Sequence, residues 1–240
     1  MIKNCVVIVQ ARATSSRLPG KVLKLLDGKP VLWHVLQRCR LVDGVDEVWC
    51  AIPLGMEHDL VAKVAKNAGA NIYRGAENDV LSRYLGAALA ARASHIIRVT
   101  SDCPVISPDI CENLIRLIET TKSDYCSNNM PRTWPHGLDC EIFSFDALEL
   151  AAKNAKADFE REHVTPWIRS YHKFKRTNLS SQSSWDLSIR LTLDYPDDLL
   201  FFQELFNSIV VSPYTRLDQI MDFLAQNPKI ADINRLCARA

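Results

Sequence analysis

Residues 9–21 read Val9-Gln10-Ala11-Arg12-Ala13-Thr14-Ser15-Ser16-Arg17-Leu18-Pro19-Gly20-Lys21. They continue an apolar run, Cys5-Val6-Val7-Ile8-Val9, that reads as a buried strand. The run gives way to a polar loop in which three cations, Arg12, Arg17 and Lys21, are set among Ser15, Ser16 and Gly20. Small residues let backbone N–H groups approach an anion while the cations neutralise it, which suggests a polyphosphate site. A solvated surface loop is the alternative, because Lys and Arg are usually exposed. Two familiar phosphate motifs are excluded. A Walker loop needs Ser or Thr after its lysine and a glycine five residues before its second glycine, whereas Lys21 precedes Val22 and Ser15 stands in the glycine position. A dinucleotide fingerprint needs three glycines, and this loop has only Gly20.

Working outward, strands and helices alternate through the first half. Pro30 suits a first helical turn, and Val31, Leu32, Val35 and Leu36 give that helix an apolar face on which His34 reads as a core residue. A strand at Val48–Ile52, a helix ending near Gly69 and a short strand at Ile72-Tyr73 follow. Next come a helix from Asp79 to Arg92, a strand Ile96–Thr100 and a helix from Pro108 to Thr120. This alternation argues for a parallel sheet covered on both faces, with ligands bound outside the strand carboxyl ends. The second half is less regular. We expect strands near 124–127, 140–145 and 187–194, a loop at 128–137, and helices near 146–157, 160–171, 197–207 and 216–225. No internal repeat or clear linker divides the chain, so the expectation is one domain, residues 1–240, with an inserted arm near 128–185.

Composition bounds the function. The chain has 240 residues, 48% hydrophobic and 24% charged, which is ordinary for a globular protein. A net charge of +1 gives no support to a general nucleic-acid or membrane binder, so any anion site is local. The eight cysteines (5, 39, 50, 103, 111, 126, 140 and 237) show neither Cys-x2-Cys nor zinc-finger spacing, and read as reduced thiols of a cytoplasmic protein. No apolar run approaches the roughly 20 residues of a membrane span, and no signal h-region precedes the first strand.

Asp102 and Asp194 each close an apolar stretch and sit two residues before a proline. Each is either a turn aspartate or a metal ligand, since Mg²⁺ takes one or two carboxylates beside substrate phosphates and water. Asp197 is better explained as an acid at a helix N-terminus. Asp139 and Glu141 would share one face of a strand, either as an acidic pair or as the solvent face of an edge strand. Glu160, Arg161 and Glu162 fit a charged first helical turn, and His163 reads more readily as structural than as chemical. No Ser/His/Asp or Cys/His arrangement is evident.

Gln10-Ala11-Arg12-x4-Arg17-Leu18-Pro19-Gly20-Lys21-Val22-Leu23 resembles the signature of the CMP-KDO synthetase-like cytidylyltransferases, in particular the branch named after spore-coat polysaccharide biosynthesis protein F. Matching blocks follow in order at Gly28–Val35, Arg74-Gly75, Asp79–Tyr84, Arg98–Pro104, Gly137–Glu141, Glu160–Pro166 and Arg190–Pro196, covering nearly the whole chain. The resemblance implies a nucleotide-diphospho-sugar transferase fold, a GT-A or Rossmann-like three-layer α/β/α sandwich with a mostly parallel sheet. It implies transfer of CMP from CTP to an acidic, ulosonic-acid-like sugar with release of pyrophosphate, for surface polysaccharide synthesis. On this resemblance, Arg12, Arg17 and Lys21 hold the triphosphate, with Ala11, Gly20, Asp79, Arg83 and Ser101 around the nucleotide. Lys21, Arg12 and Asp102 would be catalytic, Asp102 and Asp194 would hold Mg²⁺, and Asp139, Glu141, Glu162 and His163 would line the acceptor side. A homodimer formed through the arm is also implied. The chain departs from the branch at Ser101, commonly glycine, and at His136, often an acid. Other nucleotidyltransferase chemistry, glycosyl transfer and non-catalytic nucleotide binding are the competing expectations.

Overall fold

The strand that opens the chain sets the layering. In β1 (Cys5–Gln10), Cys5, Val7 and Val9 face one apolar core while Val6 and Ile8 face a second, as the two-residue repeat of a strand requires. The computed structural model describes residues 2–236. After β1 the chain forms a small hairpin, β2 (Leu25–Leu26) and β3 (Lys29–Pro30), then α1 (Val31–Cys39), β4 (Glu47–Pro53), α2 (Asp59–Asn67), β5 (Asn71–Gly75) and α3 (Val80–Ala90). It continues through β6 (His95–Thr100), α4 (Pro108–Thr121), β7 (Tyr125–Ser127), β8 (Glu141–Ser144), α5 (Phe145–Asn154), α6 (Asp158–His163), α7 (Pro166–Ser170) and β9 (Arg176–Asn178). It closes with α8 (Pro196–Ser208), α9 (Leu217–Gln226) and α10 (Pro228–Ala231).

Seven strands form one sheet in the order β5-β4-β1-β6-β8-β7-β9. All neighbours are parallel except at β8, which runs antiparallel to both β6 and β7. Helices α1, α2, α4, α8 and α9 cover one face and α3, α5 and α7 the other. The expected three-layer α/β/α sandwich is therefore present. β8 and α5, inside the stretch 128–185, belong to this main sheet and its helical cover. His34 is buried, with its Nε2 2.8 Å from the Leu26 carbonyl. The seven described cysteines are buried free thiols, and Cys237 lies outside the described residues. No described helix is long and apolar enough to cross a membrane.

Three expectations are corrected. Residues 187–194 form no strand. They run as an extended strap with a single bridge, His136 to Arg190, because Leu191 N–H is taken by the His136 carbonyl at 2.6 Å and Leu193 N–H by the Asp102 carbonyl at 2.8 Å. The helix expected over 160–171 is two short ones, broken at Val164, whose φ of +70° lies in the left-handed region, just ahead of Pro166. Asp139 and Glu141 do not share a strand face, because β8 begins only at Glu141.

Candidate active site

The C-terminal ends of β1 and β6 and the start of β8 lie at one edge of the sheet, where the loops after β1 and β6 and before β8 border a cleft of about 460 Å³. The basic loop forms one wall. Ala11 extends the β1 ladder by one bond, its N–H donating to the Ala51 carbonyl at 3.1 Å. Gly20 has φ +66° with open space around it, so glycine is there for the backbone turn alone. Its N–H returns to the Ala13 carbonyl at 3.2 Å, closing the loop just before Lys21.

Lys21 is the meeting point. Its Nζ donates to Asp102 Oδ2 at 2.6 Å and to Asp194 Oδ1 at 2.8 Å. Asp102 arrives from the end of β6, and Asp194 from the strap, so three segments distant in sequence converge on one ammonium. Burial pulls the Lys21 pKa down, but the Asp102 charge and hydrogen bonds to both carboxylates outweigh it, and the net direction is up. Burial alone would raise Asp102, yet the Lys21 charge and hydrogen bond hold it below the ordinary carboxylate value.

The strap carrying Asp194 is fixed from beneath. Arg190 donates to Asp194 Oδ2 at 2.8 Å and to the fully buried Asp198 at 3.0 Å. Asp198 also accepts the N–H groups of Asp194 and Tyr195 at 2.8 and 2.9 Å, and Asn234 Nδ2 at 2.9 Å. It lies in the first turn of α8 beside Asp197, as the helix-start reading of that segment expects. Arg17, half exposed, reaches Asp194 Oδ1 at 3.0 Å and stands over the Tyr195 ring. Gly137, with φ +102°, lets the backbone of residues 191–192 pass close by.

The remaining expected residues divide. Ala11, exposed Arg12, Arg17, Lys21, Arg83, Ser101, Asp102, Asp139, Glu162, His163 and Asp194 all line the cleft. Arg83 is buried and donates to the Ala76 and Glu77 carbonyls at 2.5 and 3.0 Å, and burial lowers its pKa. Asp79 stands behind this lining: it caps α3 through the Ser82 N–H and holds Arg161 Nη2 at 2.6 Å. Asp139 pairs with Arg132 at 2.9 Å and faces His136 Nε2 at 3.7 Å. Glu141 does not reach the cleft. It is buried against Arg98 Nη1 at 2.7 Å, Tyr125, Thr165 and Arg169; burial would raise its pKa, but the Arg98 and Arg169 charges and the hydrogen bonds from Tyr125 and Arg169 outweigh that and hold it at about 2.

Sequence reasoning gave no role to Arg98, Asn129, Arg132 or His136, all of which line the cleft, nor to Arg190 behind it. Arg98 had a signal: a charge inside an apolar strand is costly unless partnered. Arg132 and His136 lie in an irregular loop where periodicity says nothing. The orphaned buried acceptors Gln10 Oε1 and Asn129 Oδ1 are also on cleft residues. A further group, Glu57, His58 and Glu77, brings one potential metal-ligand atom from each residue to within 4.8 Å of the others, beside the basic loop.

A cleft of this kind, at the carboxyl edge of a mostly parallel sheet, with a cationic loop facing two aspartates, fits nucleotide transfer. Comparison with known proteins gives the class. The cytidylyltransferase family matches residues 6–227, and the chain belongs to it. The spore coat polysaccharide biosynthesis protein SpsF of Bacillus subtilis is 27% identical over 96% of this chain and 98% of that protein. A 3-deoxy-manno-octulosonate cytidylyltransferase of Anaeromyxobacter dehalogenans is 33% identical over 49% of this chain and 48% of its own length. The solved structure of a cytidylyltransferase from Leptospira borgpetersenii superposes with a TM-score of 0.89 at 27% identity, covering 95% of this chain and 96% of that one. The chain is thus a CTP-dependent nucleotidyltransferase of the nucleotide-diphospho-sugar transferase fold, related to the CMP-KDO synthetases and to SpsF.

Proposed function

We propose that this protein transfers CMP from CTP to an acidic, ulosonic-acid-like sugar, releasing pyrophosphate, in surface polysaccharide synthesis. The observation that supports this most is the convergence of Lys21, Asp102 and Asp194 at one point of a cleft rimmed by Arg12 and Arg17. Arg12, Arg17 and Lys21 neutralise the triphosphate, and Lys21 can exchange a carboxylate partner for a phosphate oxygen. Displacement at the α-phosphate asks mainly for positioning and charge stabilisation, and these residue types supply both. Asp139, Glu162 and His163, with Arg132 and His136, form the acceptor side, while Glu141 braces Arg98 from behind.

The donor set also fits Mg²⁺. Asp102 and Asp194 both bond one cation, and a hard dication takes one or two carboxylates with phosphate and water. Bound there, Mg²⁺ would neutralise phosphate oxygens and lower the pKa of a coordinated sugar hydroxyl. A homodimer built through residues 128–185 and a cytoplasmic location are part of the same proposal.

The test is pyrophosphate release with Mg²⁺, crossing CTP, UTP, ATP and GTP against a panel of acidic sugars. Release with CTP and one sugar acid supports the proposal, as does a drop of about 10²–10³-fold in Asp102→Asn. Release of a nucleoside mono- or diphosphate from a finished nucleotide sugar would instead establish a glycosyltransferase. Tight CMP-sugar binding without turnover would establish a binding protein.

A further inference from the structure

The basic loop is tied down at Ala13. Its carbonyl accepts the Gly20 N–H at 3.2 Å, and its own N–H donates to His58 Nδ1 at 3.1 Å. The next residue is tied too, Thr14 Oγ1 donating to Glu77 Oε1 at 2.6 Å. His58 is fully buried, on the turn between β4 and α2, and Glu77 lies on the loop after β5. Since β5, β4 and β1 are neighbours in the sheet, their three successive loops lie side by side at the cleft edge.

We infer that His58, seconded by Glu77, is the positioning residue that sets the course of the triphosphate loop. The inference rests on the proposed nucleotide role of that loop. With the Ala13 N–H turned onto His58 and the Thr14 hydroxyl onto Glu77, the following Ser15 and Ser16, which line the cleft, are left to face the anion. The same bond argues against reading Glu57, His58 and Glu77 as a metal site. Nδ1 accepts from Ala13, so the neutral ring carries its proton on Nε2. That nitrogen faces Glu57 Oε1 at 3.6 Å and has no hydrogen-bond partner. A metal would need a lone pair on Nε2, which would put a proton on Nδ1 against the Ala13 N–H.

Three variants separate the possibilities. Asn places an amide oxygen near the Nδ1 position, Gln places it near Nε2, and Leu removes it. Amide hydrogen exchange over residues 11–21, measured without nucleotide, is expected to rise in His58→Leu and His58→Gln and to stay near wild type in His58→Asn. The KM for CTP should follow the same order, rising on the order of ten-fold in the Leu variant, as for loss of a buried acceptor, with kcat less affected. Equal exchange and equal KM in all three would overturn the inference, as would a stoichiometric divalent ion retained by the wild type and lost in His58→Asn. Loop exchange that follows the expected order in a protein unable to bind CTP would leave the positioning of the loop intact and overturn the nucleotide reading instead.

Discussion

Replacing Gly137 by alanine tests whether the strap carrying Asp194 is held in register by one close backbone approach. A Cβ at residue 137 would stand 2.1 Å from the Leu191 carbonyl carbon and oxygen and 2.5 Å from the Thr192 nitrogen. These are main-chain atoms and cannot rotate away, so restoring van der Waals contact requires the strap to retreat by more than about 1 Å. The glycine also sits at φ +102°, where an L side chain adds strain of about 1–2 kcal/mol. The His136–Leu191 hydrogen bond goes with the displacement, at about 1 kcal/mol. The expected destabilisation is therefore about 3–6 kcal/mol once about 1–3 kcal/mol of overpacking is included. Moving Asp194 away from Lys21 by that distance should cost about 10²-fold in turnover. Denaturant midpoints at unchanged slope measure the first effect and steady-state pyrophosphate release the second. Gly20→Ala is the comparison: φ is +66° but nothing lies within 4 Å of the added carbon, so only about 1 kcal/mol of strain is expected. A Gly137→Ala protein as stable as Gly20→Ala and fully active would show that the strap is not held by this close approach.

If Lys21 serves the developing charge as proposed, Lys21→Met should lower kcat/KM for CTP by about 10²–10³-fold without unfolding the protein, and circular dichroism alongside kinetics checks both halves. Glu141, at about 2 when folded and near 4.5 when unexposed to partners, contributes stability that is complete above pH 4.5 and lost as pH falls toward 2. Melting temperature should therefore drop over that window, and Glu141→Gln should flatten the drop while lowering stability at neutral pH by leaving Arg98 and Arg169 without their shared carboxylate. Asp198→Asn should reduce CTP turnover although the residue touches no substrate in this account, because Arg190 and the 194–195 backbone depend on it; unchanged activity would detach the α8 N-terminus from the site.

The layered fold was legible because β1, β4 and β6 are buried on both faces and so read as apolar runs, while α1 and α4 carry helical periodicity. The convergence of Lys21, Asp102 and Asp194 was legible only as a set of strand-end or loop positions. The strap at 187–194 was misread because Ile189, Leu191 and Leu193 face the core in alternation, as in a strand, while its N–H groups bond to loops. The β2–β3 hairpin went unread although Asp27-Gly28 is a strong turn signal, since two-residue strands carry no periodicity; both turn residues have positive φ, 46° and 69°. β9 is an edge strand of three residues, below the length at which alternation informs. Asp139 and Glu141 illustrate a limit of spacing: the strand begins at Glu141, leaving one carboxylate in the cleft and the other buried between Arg98 and Arg169.

The most direct test of the central claim follows the α-phosphate of CTP. With CTP labelled at that phosphorus, Mg²⁺ and the acidic sugar selected by the pyrophosphate screen, the label should appear in a sugar ester of CMP, in equal amount to pyrophosphate. Label that remains in CTP, or that appears as free CMP independent of sugar, would contradict the transfer.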